Sequence, residues 1–169
     1  VGQIPGIHAD VTWPRAVETV VLQVRLPRTL GAMCVGAALA LSGATYQGVF
    51  RNPLVSPDLL GVSAGACVGA ASAILLHTGR ASLQVMALAT GLAAVALATF
   101  IPRLLRNTST MTLILSGVIV AGLMNSTLGL FKYIADRETE LADITYWMMG
   151  SFSLIKGSEL LMVAPVMAL

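Results

Sequence analysis

Residues 25–69 read RLPRTLGAMCVGAALALSGATYQGVFRNPLVSPDLLGVSAGACVG, and this stretch decides the fold. After two arginines that bracket a proline, residues 29–50 contain no charged side chain. About 20 apolar residues are enough to cross the hydrocarbon core of a bilayer as a helix. The Arg-Asn-Pro sequence at residues 51–53 ends this run, because proline cannot continue helical hydrogen bonding. The stretch therefore predicts a membrane helix, a tight turn and a second, glycine-rich membrane helix.

The composition favours lipid as the solvent of the whole chain. Of its 169 residues, 56% are hydrophobic and 11% are charged, and the mean hydropathy is +0.84. A soluble domain carries about 25% charged residues, so these charges are too few to cover a soluble surface. The net charge of +2 and the lack of a basic run argue against nucleic acid as a partner.

The pattern along the chain predicts an all-α polytopic membrane protein. Residues 1–24 are polar and mixed, and valines at helical spacing predict a short amphipathic helix on a membrane surface there. Residues 25–169 are predicted to form a partial transmembrane domain. We expect about four full spans, then an interfacial half-helix and a truncated fifth span, at residues 29–50, 59–76, 81–101, 111–134, 144–152 and 158–169.

Small residues recur every four positions in the second predicted span, at Gly61, Gly65, Gly69 and Ala73. Such a repeat bares one face of a helix, so that the backbone of a neighbouring helix can approach closely. The repeat predicts that this span packs among other helices.

Ser63 lies at the centre of a Gly-Val-Ser-Ala-Gly sequence, which matches the G-x-S-x-G nucleophile elbow of hydrolases. That elbow follows a strand and needs a His and an acid to complete a triad. Here a turn precedes the serine, and none of the apolar spans contains a His. Helix packing is therefore the favoured role of Ser63. Cys34 and Cys67 lie in apolar segments without a CxxC spacing, so no metal site is predicted.

Several short motifs follow one another along the chain: Arg-Leu-Pro-Arg at 25–28, Ser-Gly-Ala at 42–44, Asn-Pro-Leu at 52–54, Gly-Val-Ser-Ala-Gly at 61–65 and Trp-Met-Met-Gly-Ser at 147–151. With these motifs the chain resembles the permease subunits of type II ABC importers. These permeases form the FecCD family and have the BtuC-like fold. Importers of this family take up iron-siderophore complexes, haem and vitamin B12. The resemblance is nearly continuous over residues 25–157.

The resemblance implies a multi-pass permease in the plasma (inner) membrane of a bacterium or archaeon. This chain would be a piece of such a permease, from its second span to the start of its sixth. Residues 1–24 would lie on the extracytoplasmic side of the membrane. The implied partners are a second permease copy, ATP-binding subunits, a periplasmic or lipoprotein substrate-binding protein and the lipid bilayer. The chain has no G-x-x-x-x-G-K-[ST] loop, so ATP hydrolysis is expected in a partner. Neither a cofactor nor a catalytic residue is expected here.

The resemblance also implies a docking role for Arg25 and Arg28. They would lie at the extracytoplasmic face and pair with acidic residues of the binding protein, because charges at the rim of an interface steer docking. Counting along the chain then puts six basic residues outside and three inside, against the positive-inside tendency. The outer six are Arg15, Arg25, Arg28, Arg80, Lys132 and Arg137, and the inner three are Arg51, Arg103 and Arg106.

The same resemblance implies two gates on the cytoplasmic side. Asn52 and Leu54 would form one gate, in the turn after the span 29–50. Thr110 and Met111 would form the other, at the start of the span 111–134, although Met111 departs from the small polar residues of the family. The expected mechanism is alternating access, in which these gates open and close as the ATPase rocks the two permease copies.

Ser116 and Asn125 are candidate path-lining residues, because the resemblance makes the span 111–134 a lining helix. Asn125 is the most costly polar residue to expose to lipid, so it should face protein or a water-filled path. An interhelical hydrogen bond remains the alternative for Asn125.

Three other functions remain open. An ion-coupled secondary transporter would need an acidic residue in mid-membrane, and the four full spans contain neither Asp nor Glu. An intramembrane enzyme would have to use Ser63. A membrane subunit that serves assembly without transport is the third.

Overall fold

The computed structural model describes residues 14–53, 55–107 and 109–152, and these contain helices but no strand. This agrees with the all-α prediction. The α-helices are α1 (Arg15–Thr19), α2 (Leu26–Phe50), α3 (Val62–Leu75), α4 (Arg80–Leu104), α5 (Thr110–Ile134) and α6 (Glu140–Met149). A π-helical turn, Val20–Arg25, joins α1 to α2, and a 3₁₀ turn, Pro57–Leu60, precedes α3.

Three helical stretches in this part of the chain are long and apolar enough to cross a membrane. They are Arg15–Phe50, α4 and α5, with mean hydropathies of 1.4, 2.0 and 1.8 in their most apolar windows. At 1.5 Å per residue, a helix of 25 residues is about 37 Å long, which exceeds the bilayer core of about 30 Å. Length and composition thus fit a multi-pass membrane protein.

The predicted span 59–76 is divided into two elements by Gly61. This glycine has a φ of 75°, a left-handed conformation that a residue without a Cβ adopts at no steric cost. The α3 helix after it has 14 residues and is therefore about 21 Å long. Three membrane-length helices and this shorter apolar helix occupy the region of the four predicted full spans.

Helix α6 begins four residues before the predicted half-helix 144–152, because acidic side chains hold its first turn. The Asp136 carboxylate accepts hydrogen bonds from the backbone N–H and hydroxyl of Thr139, at 3.2 and 2.8 Å. These bonds, the hydroxyl bond foremost, lower the pKa of Asp136. In return, Glu140 Oε2 accepts from the Asp136 N–H at 2.9 Å. Helix α6 ends at Met149, and Gly150, which follows it, has a φ of 67°.

The predicted amphipathic helix and truncated span fall partly or wholly outside the described residues. Residues 1–13 and the truncated span 158–169 are not among the described ones. In the described part of the N-terminal segment, α1 and the π-helical turn continue directly into α2.

Residues 42–150 form one compact unit, and the described residues 14–41 and 151–152 belong to another. Within the first unit, α3 packs against α4, α5 and α6. Two apolar clusters fill opposite ends of this packing. One centres on Leu60, Ala94, Ala98 and Val120, and the other on Ala71, Leu128, Ala135 and Ile144. We call the first the proline end, with the turns 51–61 and 105–109, and the second the acidic end, with the turns 76–79 and 135–139.

Helix α3 touches α4 backbone to backbone through two glycines. A methyl group on Gly65 would lie 2.8 Å from the carbonyl oxygen of Thr90, and one on Gly69 would overlap Thr90 Oγ1 and the carbonyl oxygen of Met86. These contacts need glycine, because backbone atoms cannot move aside as a flexible side chain can. Gly61 faces α5 instead, where its added methyl would lie 3.1 Å from the backbone nitrogen of Ala121.

Replacing Gly69 with Ala should destabilise the full-length protein by about 1–3 kcal/mol, because the added methyl overpacks the contact with α4. The matched control is Gly129→Ala in α5, where the methyl meets nothing within 4 Å. The control should be neutral or stabilising, because alanine favours a helix over glycine by up to about 1 kcal/mol. Thermal unfolding of the purified variants in detergent measures both. Equal effects of the two substitutions would contradict the packing described here.

Candidate functional site

The turn after α2 carries Asn52, one of the four predicted gate residues. The backbone N–H of Arg51 donates to Gly48 O at 3.3 Å, and that of Asn52 donates to Gln47 O at 3.2 Å. Arg51 has a φ of 49°. This is a Schellman motif, which satisfies the last carbonyls of the helix. Asn52 is half-buried, and its own carbonyl accepts from the N–H of Val55 at 3.3 Å. Leu54, the second predicted gate residue, lies outside the described residues.

The turn after α4 ends the helix in the same way. The N–H of Arg106 donates to Arg103 O at 3.2 Å, and the N–H of Asn107 donates to Pro102 O at 3.1 Å. Arg106, like Arg51, is in the left-handed region, with a φ of 52°. An arginine side chain at this position complements the negative end of the helix dipole, which partly offsets the strain of a positive φ.

Ser109 starts α5 by capping it. Its hydroxyl accepts from the N–H of Thr112 at 3.2 Å, and its own N–H donates to Asn107 Oδ1 at 3.1 Å. The predicted gate residues Thr110 and Met111 directly follow this cap and are both exposed, Met111 to 75%. The cap therefore fixes the backbone of the first turn of α5 while it leaves these two side chains free to meet another surface.

Helix packing brings the two turns to the same end of the unit. The backbone of Leu59 and Leu60 in the 3₁₀ turn lies directly on Gly117 of α5, where an added methyl would lie 3.1 Å from the Leu60 Cα. The Leu60 side chain is buried between α4 and α5, together with Ala98 and Val120. The structure thus places both turns that carry predicted gate residues at the proline end.

The two predicted path-lining residues occupy different environments. Ser116 is 2% exposed, and its hydroxyl donates to the carbonyl oxygen of Ala98 in α4 at 2.6 Å. A hydroxyl in this position joins two helices and does not reach an open face. Asn125 is exposed and makes no hydrogen bond to any described residue. It lies beside Gly122, Ser126 and Gly129, which are also exposed.

Arg25 and Arg28 lie where the π-helical turn meets α2, and both are exposed. Three residues apart, they share one side of the helix. The hydroxyl of Thr29 donates to the backbone carbonyl of Arg25 at 3.0 Å. This bond does not involve the side chain of Arg25. This arrangement is compatible with an interface for an acidic partner.

At the acidic end, the structure pairs two residues that the sequence does not connect. His77 Nε2 lies 3.2 Å from Glu140 Oε1, which ties the end of α3 to the start of α6. His77 also ends α3 in a Schellman motif, because its N–H donates to Ile74 O and that of Thr78 donates to Ala73 O. The sequence signal for this contact is weak, since it requires knowing that α6 folds back onto α3.

Ser63 is exposed on α3 in the part of the chain that the structure describes. The described histidine, His77, follows the other end of the same helix, about 21 Å away at 1.5 Å per residue. No group of three or more His, Cys, Asp or Glu side chains in the described ranges is arranged to hold a metal ion.

The FecCD transport family matches residues 6–169. The chain is 41% identical over 144 residues to the molybdate import system permease protein MolB of Haemophilus influenzae, covering 85% of this chain and 43% of that protein. It is 46% identical over 140 residues to the vitamin B12 import system permease protein BtuC of Salmonella paratyphi A, covering 80% of this chain and 41% of that protein.

A solved structure described as an inward-facing conformation of a metal-chelate type ABC transporter matches with a TM-score of 0.84 and 37% identity. The match covers 96% of this chain and 53% of that one. This chain thus spans less than half the length of the two curated relatives. The predicted resemblance is confirmed, and the chain belongs to the FecCD transport family.

Proposed function

We propose that this chain is part of the permease subunit of an ABC importer in a prokaryotic plasma membrane. The observation that carries the proposal is the proline end of a FecCD-type helical unit, where the turns after α2 and α4 lie at the same end. In the complete importer, a second permease copy completes the path, a substrate-binding protein delivers the solute, and separate ATP-binding subunits supply the energy.

The turns after α2 and α4 suit the role of a gate. Asn52 is half-buried, whereas Thr110 and Met111 project from the first turn of α5. Because the 3₁₀ turn rests on α5 at Gly117, a displacement of α5 would carry both turns together. Asn52, Leu54, Thr110 and Met111 would then open and close as one layer at the cytoplasmic side.

The exposed face of α5 suits the role of a path lining. Asn125 is exposed there beside Gly122, Ser126 and Gly129. An amide facing lipid would forfeit its hydrogen bonds, so a water-filled path or a protein partner outside the described residues must cover it. The small neighbours leave room for a bulky solute, and the amide offers both donors and an acceptor.

A metal chelate of the iron-siderophore, haem or cobalamin class is the substrate that we favour. The relative from Salmonella is a vitamin B12 permease, and the matching structure is a metal-chelate type transporter. Molybdate is the second candidate, because the relative from Haemophilus influenzae imports it. An ion-coupled carrier is disfavoured, since α2, α3, α4 and α5 contain neither Asp nor Glu.

Uptake by the full-length permease, reconstituted in vesicles with its ATPase and binding protein, tests the function. We expect ATP-dependent uptake of a cobalamin or a ferric siderophore, with molybdate as the competing cargo. Uptake of molybdate alone would overturn the substrate class but leave the importer intact. If an active ATPase and a loaded binding protein gave no uptake of any cargo, the importer function would be wrong.

Reversing Arg25 and Arg28 to Glu should weaken the affinity for the binding protein by about tenfold or more, because like charges across an interface cost several kcal/mol. The control is Arg15→Glu, an exposed arginine on the preceding helix α1. Surface plasmon resonance on the permease in nanodiscs measures both affinities. The docking role would be refuted by an affinity that the double reversal leaves unchanged.

Replacing Asn125 with Leu should lower the rate of uptake several-fold without lowering the thermal stability of the permease. The reason is that the amide has no partner among the described residues whose loss would destabilise the fold. Uptake and unfolding are measured on the same preparation. A large fall in stability would instead identify Asn125 as a hydrogen-bonding residue between helices.

A further inference from the structure

Helix α4 contains a proline close to its end, and this proline leaves one buried carbonyl without its usual donor. In an α-helix, the N–H of residue 102 would donate to the carbonyl of residue 98, but Pro102 has no N–H. Ala98 is fully buried, at 0% exposure. A buried carbonyl without a donor is costly, and most of all where no water can reach it.

The donor comes from the neighbouring helix. Ser116 Oγ of α5 lies 2.6 Å from the carbonyl oxygen of Ala98, and 2.8 Å from that of Leu113 in its own helix. A hydroxyl has a single proton, so the two carbonyls compete for it. The Leu113 carbonyl can accept from residue 117 in the regular helix. The Ala98 carbonyl has lost the equivalent partner, and the shorter bond goes to it.

The same proline begins a chain of hydrogen bonds around the turn. The carbonyl of Pro102 accepts from the N–H of Asn107, and Asn107 Oδ1 accepts from the N–H of Ser109. The Ser109 hydroxyl then caps α5 at Thr112. With the bond from Ser116 back to Ala98, these contacts hold the backbone on both sides of residues 110 and 111.

We propose that Ser116 is a positioning residue, whose hydroxyl replaces the N–H that Pro102 lacks and so holds the α4–α5 turn in one geometry. Its consequence for transport rests on the proposed function, because it matters only if Thr110 and Met111 form a gate. The hydrogen-bond substitution itself does not depend on any function.

A double-mutant cycle in the full-length permease tests whether the Ser116 hydroxyl replaces the N–H that Pro102 lacks. Ser116→Ala should shift the unfolding equilibrium by roughly threefold towards the unfolded state, the average size for hydrogen bonds between membrane helices. Pro102→Ala restores an N–H at residue 102, so adding Ser116→Ala to that background should have almost no effect. The control is Ser126→Ala, whose hydroxyl donates only within α5, to Gly122 O. Its effect should be the same in both backgrounds.

If Ser116→Ala is equally destabilising with and without Pro102, the hydroxyl does not replace the missing N–H and the proposal is wrong. If Ser116→Ala changes nothing in either background, the proposal is equally wrong. Because neither measurement needs a substrate, these failures are separate from a failure of the uptake assay.

The mobility of the α4–α5 turn tests whether the Ser116 hydroxyl holds this turn in one geometry. A nitroxide on Met111→Cys, with Cys34, Cys67 and any further cysteine of the full-length permease replaced by Ala, reports the mobility of this turn by electron paramagnetic resonance. Ser116→Ala should increase the mobility, and adding Pro102→Ala should restore it, while Ser126→Ala should leave it unchanged. Coupled stabilities with unchanged mobility would show that the bond only stabilises the helix pair, and the positioning role would be refuted.

Discussion

Close backbone contact at three glycines is the constraint on which the described unit depends. Lipid tails are as apolar as the helices, so helices in a membrane associate through van der Waals packing and hydrogen bonds. Gly65 and Gly69 bring α3 onto the backbone of α4, and Gly117 brings the 3₁₀ turn onto α5. The last contact places the 3₁₀ turn Pro57–Leu60 against α5, about two helical turns after the start of that helix. The 3₁₀ turn can rest on α5 because Gly117 has no side chain.

The helix ends follow a second constraint, which is that turns within or near a membrane must satisfy their own carbonyls. Helices α2, α3 and α4 all end in Schellman motifs, with Arg51, His77 and Arg106 in the left-handed position. Glycine is the usual residue there. At Arg51 and Arg106 the side-chain charge instead adds a favourable interaction with the helix dipole.

Hydropathy predicts the helices well and their interruptions poorly. Residues 81–101 and 111–134 fall within α4 and α5, because long apolar runs leave few alternatives. The sequence does not reveal the break at Gly61, because Gly61 belongs to the same four-residue repeat as the packing residues Gly65 and Gly69. The repeat therefore predicts one continuous helix, whereas Gly61 adopts a positive φ. The contacts between His77 and Glu140, and between Ser116 and Ala98, join residues far apart in sequence. They depend on how the helices pack, which no local pattern contains.

Ser116 and Asn125, two of the polar residues of α5, show what residue type alone leaves undecided. Ser116 and Asn125 are nine residues apart, which is about two and a half helical turns, so they lie on opposite sides of the helix. A helix that lines a path must be held on one side and open on the other. Ser116 is buried against α4 and Asn125 is exposed. Both residue types predict the same role, but the helical geometry places Ser116 on the side that packs against α4 and Asn125 on the exposed side.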